Sequence, residues 1–229
     1  MNSQYTIYYW KIRGLGNPVA TLLEYLKAPY TYHQYTDRDT WSTDKQKLLE
    51  SGFLNPNLPY LHDKKNDKKL SETFAVLLYL AGQHRKEMVP QSMEEMTHAL
   101  MVQGVIADYN KAITTSAYSS KTVEEMIEAL KGSMASNATK TNFFKVTLEK
   151  NKFVQGEQVT FLDFYLADLI EKFVTMQEEL KQEFVDEATL KVFKDYVCRF
   201  TSLDGIKEYR EGEKFMKRPF NFAPFAAWA

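Results

Sequence analysis

Tyr5-Thr6-Ile7-Tyr8-Tyr9-Trp10, followed by Gly14-Leu15-Gly16-Asn17-Pro18, is the stretch that decides how the chain begins to fold. Its first six residues are aromatic or β-branched, which is typical of a β-strand. The glycines and Pro18 end that strand. Asn17 is a candidate helix cap and Pro18 suits a first helical turn. Val19, Leu22, Leu23 and Leu26 then recur at helical spacing, so the sequence predicts a helix over about 17–27.

The next elements extend this start into a small α/β unit. We predict a strand over 30–35, a short polar helix over 43–50, and strands over 58–61 and 68–70. Ser71-Glu72-Thr73 can begin a helix that carries Phe74, Leu77, Leu78 and Ala81 on one face. The order βαβαββα, with right-handed crossovers, predicts a mixed sheet with helices on both faces over residues 1–84.

After a polar linker at 85–91 the pattern is helical throughout, so we predict an all-helical domain over 92–229. Helical spacing runs over 93–117, at Met96, Leu100, Val105, Ile106 and Tyr109, and again over 122–149. The second stretch has a weak point at Gly132-Ser133 and is weakened further by Ser136, Asn137, Thr139 and Thr141. Thr160 with Asp163 resembles a capping box ahead of a helix that buries Phe164, Leu166, Ala167, Ile170 and Phe173. Two further helices are expected at about 188–200 and 203–210, and the tail from Arg218 to Trp228 reads as irregular.

Composition excludes several classes of function. The chain has 229 residues, 44% of them hydrophobic, and a net charge of −1, so bulk attraction to nucleic acid is not expected. No secretory leader and no apolar run long enough to span a membrane are visible, which makes the cytoplasm the expected location. The four histidines are scattered, and no metal is expected. The single cysteine, Cys198, lies in an apolar helical segment and is expected to be a buried structural thiol.

Familiar hydrolase, phosphate-loop and zinc-protease motifs are absent from the sequence. The more informative feature is Pro59, which opens the third predicted strand. In thiol-handling proteins built from a thioredoxin-like βαβαββα domain and a helical domain, a proline at this place is usually cis. A cis Leu58–Pro59 bond would turn the Leu58 backbone toward a peptide ligand. The alternative is an ordinary proline on an edge strand.

Several motifs in the same order resemble the mu class of glutathione transferases over nearly the whole chain. They are Tyr9-Trp10-Lys11-Ile12-Arg13-Gly14-Leu15, Arg38 with Trp41 and Lys45, Asn57-Leu58-Pro59-Tyr60-Leu61, and the tail from Arg218-Pro219-Phe220 to Ala227-Trp228. The resemblance implies a thioredoxin-like α/β domain followed by an all-α domain. It also implies glutathione as co-substrate, a hydrophobic electrophile as second substrate, and a homodimer.

The resemblance makes Tyr9 the catalytic residue. A free thiol has a pKa of about 8.5, and lowering it by about 2 units requires about 2.7 kcal/mol of thiolate stabilisation. A Tyr9 hydroxyl that donates to sulfur near a helix N-terminus could supply part of this. We prefer Tyr9 to the adjacent Tyr8, since strand alternation directs Tyr8 to the opposite face.

The resemblance also assigns the residues that hold glutathione. Trp41 and Lys45 stand at i and i+4 and, with Arg38, would hold the glycyl carboxylate; the alternative is a solvated charged helix with one packed tryptophan. Glu72 and Thr73 would hold the γ-glutamyl group at a helix N-terminus; the alternative is a plain helix cap. The full glutathione set is Tyr9, Trp10, Leu15, Arg38, Trp41, Lys45, Asn57, Leu58, Pro59, Glu72, Thr73 and, across the dimer, Asp108.

Leu15, Tyr118 and the C-terminal tail would form the wall for the electrophile. For Asp108 the alternative is an exposed acid on a helix. For Tyr118 the alternative is a side chain packed in the core. The chain departs from the family in two places: the loop at 36–40 is shorter, and Asn55 stands where the family has the phenylalanine that enters the other subunit. Phe53, two residues earlier, could replace that phenylalanine through a shifted loop, or the dimer contact is weaker.

The sequence alone leaves three functions open. The first is conjugation of the glutathione thiolate to hydrophobic electrophiles, a detoxification reaction. The second is a scaffold or ligand-carrier subunit with little turnover, because one fold can host more than one function. The third is a glutathione-dependent isomerase or prostaglandin-synthase-type reaction in the same site.

Overall fold

In the computed structural model, which describes residues 3–221, the chain begins with a four-stranded mixed sheet. Its strands are β1 (Tyr5–Trp10), β2 (Tyr30–Tyr35), β3 (Tyr60–Asp63) and β4 (Lys68–Ser71), in the order β2-β1-β3-β4. β1 runs parallel to β2, with Tyr9 opposite Gln34, and antiparallel to β3, with Tyr8 opposite Tyr60. The predicted thioredoxin-like order of strands and helices is confirmed.

Three helices accompany the sheet: α1 (Gly16–Tyr25), α2 (Arg38–Glu50) and α3 (Thr73–His84). α1 and α3 pack on each other and on the later helix α7 (Phe161–Leu180), whereas α2 packs on β2. The Leu58–Pro59 peptide bond is cis, as predicted.

From Lys86 onward the described chain is helical. A 3₁₀ turn (Lys86–Met88) leads into α4 (Met93–Ser119), α5 (Val123–Ser136), α6 (Ala138–Lys150), α7, α8 (Glu187–Thr201) and α9 (Ile206–Glu211). The Asp163 carboxylate accepts a 2.8 Å hydrogen bond from the Thr160 backbone N–H, which confirms the predicted capping box at the start of α7. All five residues expected on the buried side of α7 are buried.

Helix α7 forms the centre of the hydrophobic core. Fourteen of its residues are buried, and one continuous core cluster joins them to Ile7, Leu22 and Leu77 of the sheet region. A second, smaller cluster contains Tyr9, Ile12, Tyr35, Leu58 and Tyr60. This second cluster and the side chains packed on it include five of the twelve predicted glutathione residues: Tyr9, Trp10, Leu15, Trp41 and Leu58.

Several local predictions need correction. α2 begins at Arg38 rather than near 43, because the Asp37 carboxylate caps it with a 2.7 Å bond from the Thr40 N–H. The stretch over 122–149 is divided at Asn137, one of the residues expected to weaken it, whereas Gly132-Ser133 lies inside α5; the Asn137 side chain bonds the Ser133 carbonyl at 2.8 Å.

The other three corrections concern single side chains. Asn17 does not cap α1: it is buried, and its amide donates to Asp168 at 2.7 Å. Cys198 is exposed, because the buried side of α8 runs through Thr189, Phe193, Tyr196 and Phe200. Leu100, expected to face the core from α4, is also exposed.

Within residues 3–221, none of the helices combines the length and the apolarity needed to cross a membrane.

Candidate active site

Tyr9 lies near the end of β1, and strand alternation gives it and Tyr8 opposite faces. The Tyr9 side chain is 6% exposed and lies against the loop that leads into α1. Tyr8 stacks on Tyr60, with the two ring centroids 4.2 Å apart and the planes 5° from parallel. The strand therefore gives adjacent tyrosines separate environments, and only Tyr9 faces the loop.

The Tyr9 hydroxyl oxygen accepts a 2.9 Å hydrogen bond from the backbone N–H of Leu15. Among the described residues it donates to no protein group, so its proton is available to a ligand. Burial raises the pKa of Tyr9 well above its usual value, and the bond from Leu15 opposes that change only in part. The phenol is therefore protonated at neutral pH and can donate a hydrogen bond.

Two glycines allow the loop to approach the Tyr9 ring. A Cβ placed on Gly14 would lie 2.6 Å from Tyr9 Cε1, and one on Gly16 would lie 2.7 Å from Tyr9 Cδ1. Gly14 also has φ of +32°, in the region that favours glycine. A side chain at either position would displace the ring or the loop, so these glycines set the position of the Tyr9 hydroxyl.

A cavity of about 530 Å³ opens beside Tyr9, between the first loop, α4, α7 and the segment before Asn221. The C-terminal segment reaches it because the N–H groups of Arg13 and Gly14 donate to the carbonyls of Pro219 and Phe220, at 2.8 and 3.0 Å. Its walls are formed by Tyr9, Ile12, Gly14, Leu15, Asn110, Ile113, Thr114, Thr115, Tyr118, Ser119, Leu169, Lys172, Phe220 and Asn221. Leu15 and Tyr118, predicted to contact the electrophile, thus lie in one cavity with Tyr9.

The tail beyond Asn221, which was also predicted to form this wall, lies outside the described residues. A larger open groove of about 1110 Å³ lies elsewhere, beside residues 24–31 and 204–214. It contains none of the predicted site residues.

Trp41 and Leu58 meet at the small core cluster that contains Tyr9. The Trp41 ring lies 5.3 Å from the Tyr35 ring and 6.2 Å from the Tyr60 ring, centroid to centroid. Trp41 is half-buried against this cluster, whereas Lys45, one turn later on α2, is exposed. The apolar side chain is thus anchored and the ammonium is left to solvent.

Asn57 and Glu72 are brought together from separate elements. The Asn57 side-chain amide donates to the Glu72 carboxylate at 3.2 Å, and its side-chain oxygen accepts from the Leu58 N–H at 3.0 Å. Glu72 has φ of +70°, an uncommon conformation for a residue with a side chain. Thr73, buried, is the first residue of α3. The exposed Glu72 carboxylate and the α3 N-terminus therefore adjoin the Asn57–Leu58 backbone.

Of the twelve predicted glutathione residues, only Tyr9 and Leu15 line the Tyr9 cavity. Trp10, Arg38 and Asp108 lie elsewhere. Trp10 is half-buried and packs edge-on against Tyr35, with centroids 6.1 Å apart. Arg38 is exposed in the first turn of α2. Asp108, with a side chain that is 60% exposed on α4, pairs with Lys140 of the same chain at 3.1 Å.

A buried ionic cluster lies directly behind the Gly14 loop. Arg13, only 2% exposed, donates to Asp168 at 2.8 Å and also pairs with Glu171. Lys172 pairs with Asp168 and donates to the Gly14 carbonyl at 3.0 Å. Although burial would raise the pKa of Asp168, Arg13 and Lys172 outweigh it and hold that pKa below its usual value. Burial lowers the pKa of Lys172, and the neighbouring Asp168 carboxylate opposes that lowering.

Sequence reasoning missed Lys172 and the apolar wall residues Ile12, Ile113 and Leu169. The available signal was the placement of Asp168 and Lys172 at i and i+4 within residues 161–173 of α7, most of which are apolar. Charged residues in such a helix are rarely buried without partners. Among the described residues, no group of three His, Cys, Asp or Glu side chains could hold a metal ion.

Comparison with known proteins gives a consistent result. A family model described as the N-terminal domain of glutathione S-transferase matches residues 5–82. Glutathione S-transferase Mu 3 of Macaca fuscata fuscata is 31% identical over 93% of this chain and 90% of its own length. The class-mu 26 kDa isozyme 51 glutathione S-transferase of Fasciola hepatica is 33% identical over 93% of this chain and 91% of its own length.

Among solved structures, the glutathione S-transferase Blo t 8 is similar with a TM-score of 0.77 and 25% identity. The alignment covers 94% of this chain and 96% of that protein. The likeness therefore spans both the sheet region and the helices that follow it.

Proposed function

The chain belongs to the glutathione S-transferase family, and from that premise we propose that it conjugates the glutathione thiolate to hydrophobic electrophiles, with Tyr9 as the catalytic residue. One observation carries this proposal. A buried, protonated Tyr9 hydroxyl accepts from Leu15 and keeps its own proton for a ligand at the edge of the 530 Å³ cavity.

The chemistry required is stabilisation of a thiolate at neutral pH. A phenol held by one N–H donor can direct its hydrogen toward sulfur, and a hydrogen bond to the charged form lowers the thiol pKa. The N-terminus of α1 begins at Gly16, next to the residue that bonds Tyr9, so its positive end also favours a thiolate there. Both effects act on the ionised thiol and not on the neutral one.

Residues 1–84 supply the glutathione-binding part in this proposal, and residues 92–229 complete the electrophile site. Asn57, Leu58 and Pro59 would hold the cysteinyl group, and Glu72 and Thr73 the γ-glutamyl group. The 3.2 Å bond between Asn57 and Glu72 supports a shared binding surface. On α2, Trp41 and Lys45, with Arg38, would hold the glycyl carboxylate, and Trp10 and Leu15 would complete the contacts.

The cavity beside Tyr9 would take the second substrate. Ile12, Leu15, Ile113, Leu169 and Phe220 give it apolar walls, which suit a hydrophobic electrophile. Holding both reactants in one site adds a rate advantage through proximity. We infer a detoxifying role in the cytoplasm, with Tyr118 placed to contact the electrophile.

We further propose that the active form is a homodimer in which Asp108 approaches the partner's glutathione. Apolar side chains left on the surface support an interface: Leu54 is 86% exposed, and Met93, Leu100 and Met101 of α4 are 50% exposed or more. Phe53 does not project as a replacement key. Its ring packs 6.1 Å from Tyr60 within its own chain, so Leu54 is the better candidate.

The test is conjugation of glutathione to a general aromatic electrophile by wild type, Tyr9→Phe and the matched control Tyr8→Phe. We expect Tyr9→Phe to lower kcat/KM about 100-fold, the usual cost of removing one transition-state hydrogen-bond donor. Glutathione affinity should change little. Tyr8→Phe should remain close to wild type, because its hydroxyl lies on the other face of β1.

Retention on immobilised glutathione without turnover would instead favour a carrier or scaffold subunit. Absence of both retention and turnover would show that the proposed function is wrong.

A further inference from the structure

The peptide unit between Gly14 and Leu15 makes a hydrogen bond at each end. Its carbonyl, on Gly14, accepts from the Lys172 ammonium at 3.0 Å. Its N–H, on Leu15, donates to the Tyr9 hydroxyl oxygen at 2.9 Å. A single peptide plane therefore connects a lysine of α7 with the hydroxyl of the proposed catalytic tyrosine.

Lys172 is held at one end of this connection by the ionic cluster behind the loop. Its side chain is 12% exposed, and it pairs with Asp168, which is held in turn by Arg13 at 2.8 Å and by Asn17 at 2.7 Å. Glu171 pairs with both Arg13 and Arg210. These three cations and two carboxylates leave one positive charge in excess, in surroundings largely shielded from water.

We propose that Lys172 is a positioning residue for the reaction: it polarises the Gly14–Leu15 peptide, so that the Leu15 amide donates a stronger hydrogen bond to the Tyr9 hydroxyl oxygen. A stronger bond at that oxygen withdraws electron density from the phenol. The Tyr9 proton then becomes a better donor to the glutathione sulfur, and the thiolate is stabilised.

The physical basis is cooperativity along a chain of hydrogen bonds. Each bond polarises the next, and the effect grows where the local dielectric constant is low. A charged donor gives a stronger bond than a neutral one, so the ammonium polarises the Gly14 carbonyl more than an amide N–H would. Lys172 acts on the sulfur only through the Gly14–Leu15 peptide and the Tyr9 hydroxyl. This inference rests on the proposed function of Tyr9.

A purely structural role for Lys172, tying α7 to the Gly14 loop, predicts a different outcome. It would alter stability or glutathione affinity and would leave the pKa of the bound thiol unchanged. The decisive readout is therefore the pH dependence of the ultraviolet absorbance of the bound thiolate. It is measured on the full chain saturated with glutathione, alongside kcat/KM as a function of pH.

The variants separate charge from hydrogen bonding. Lys172→Gln keeps an N–H donor and removes the charge, Lys172→Met removes both, and Lys172→Arg keeps both. We expect Lys172→Met to lower the thiolate fraction at pH 6.5 about 3- to 10-fold, with KM for glutathione little changed. Lys172→Gln should fall between that variant and wild type, and Lys172→Arg should restore most of the thiolate. Lys191→Met, at an exposed pair on α8, is the matched control.

The same substitutions in a Tyr9→Phe background test the route. We expect Lys172→Met to have little further effect there, because its effect passes through the Tyr9 hydroxyl. An equal effect in both backgrounds, or a thiol pKa unaffected by Lys172→Met and Lys172→Gln, would overturn the inference. If Tyr9→Phe alone leaves the bound thiol unchanged, the proposed function of Tyr9 is what fails. If Lys172→Met does not fold, Lys172→Gln and Lys172→Arg still decide the question.

Discussion

At the scale of single residues, the site depends on the two glycines beside the Tyr9 ring as much as on Tyr9 itself. Gly14 and Gly16 leave room for the loop to close on it, and the Leu15 N–H then reaches its hydroxyl at 2.9 Å. This close approach sets the position of the Tyr9 hydroxyl. Since catalysis depends on precise positions of the reacting groups, the two glycines affect activity through the placement of Tyr9.

We expect Gly16→Ala to lower kcat/KM about 10- to 100-fold, since its Cβ would clash with the Tyr32 hydroxyl and fall 2.7 Å from Tyr9 Cδ1, which forces the Tyr9 ring or the start of α1 to shift. Overpacking should also lower the free energy of unfolding by about 1–3 kcal/mol. Steady-state kinetics and urea unfolding measure the two effects.

The matched control is Gly132→Ala in α5, where nothing lies within 4 Å of the new Cβ. It should raise the free energy of unfolding by about 0.5–1 kcal/mol and leave activity unchanged. Full activity in Gly16→Ala would contradict this account of the loop.

Residue-scale prediction from the sequence depended on whether a role is visible locally. Strand alternation separates Tyr9 from Tyr8 in the sequence itself. The contact of Lys172 with the Gly14 carbonyl joins positions 158 residues apart, and no local pattern indicates it. Asn17 illustrates the same limit, because its amide bonds Asp168 of α7 instead of capping its own helix.

At the scale of elements, periodicity located the helices, and local capping set their ends. Spacing in α7 indicated five buried residues, and all five are buried, although the helix buries fourteen in total. The start of α2 and the break at Asn137 depend on single side-chain bonds, from Thr40 to Asp37 and from Asn137 to Ser133, which spacing alone does not reveal. Gly132, the residue predicted to weaken the long helix, is accommodated inside α5.

The contact between α7 and the loop before α1 should be sensitive to acid. Arg13 and Lys172 hold the pKa of Asp168 below its usual value of about 4, and Arg13 and Arg210 do the same for Glu171. The folded state thus binds fewer protons than the unfolded state in this range. Its stabilisation is complete above about pH 5 and is lost as the pH falls through the folded-state pKa values.

We therefore expect Asp168→Asn to lower the free energy of unfolding by about 3 kcal/mol at pH 7, because it removes the buried carboxylate that pairs with both Arg13 and Lys172 and leaves Glu171 as the remaining acidic partner of Arg13. The difference from wild type should shrink as the pH falls toward 3. Urea unfolding at several pH values measures it. Asp195→Asn, at the exposed Lys191 pair, should change stability by less than about 1 kcal/mol at any pH. A difference for Asp168→Asn that stays constant with pH would contradict the assignment.

At the scale of the whole molecule, the order of elements was predictable because each strand and helix carries its own pattern. The sequence did not predict which apolar side chains stay exposed on the surface. Leu100 has the spacing of a core residue and is exposed, and Leu54 stands on the surface beside a packed Phe53. Contiguous patches of exposed apolar side chains mark interaction surfaces. A second copy of the chain would cover them in the proposed dimer.

Sedimentation at micromolar concentration should show a dimer for wild type. A two-fold interface uses each contact residue twice, so Leu54→Ser removes two buried leucines. At about 1.5 kcal/mol or more for each, the dissociation constant should rise roughly 100-fold.

Leu49→Ser, at a less exposed apolar position of α2, is the control and should remain dimeric. Phe53→Ala should instead lower the stability of the protomer, since that ring packs against Tyr60 of its own chain. A monomeric wild type would contradict the proposed dimer, and Asp108→Asn should then leave glutathione affinity unchanged because no partner site exists. A Leu54→Ser variant that dimerises as tightly as wild type would show that Leu54 is not the key.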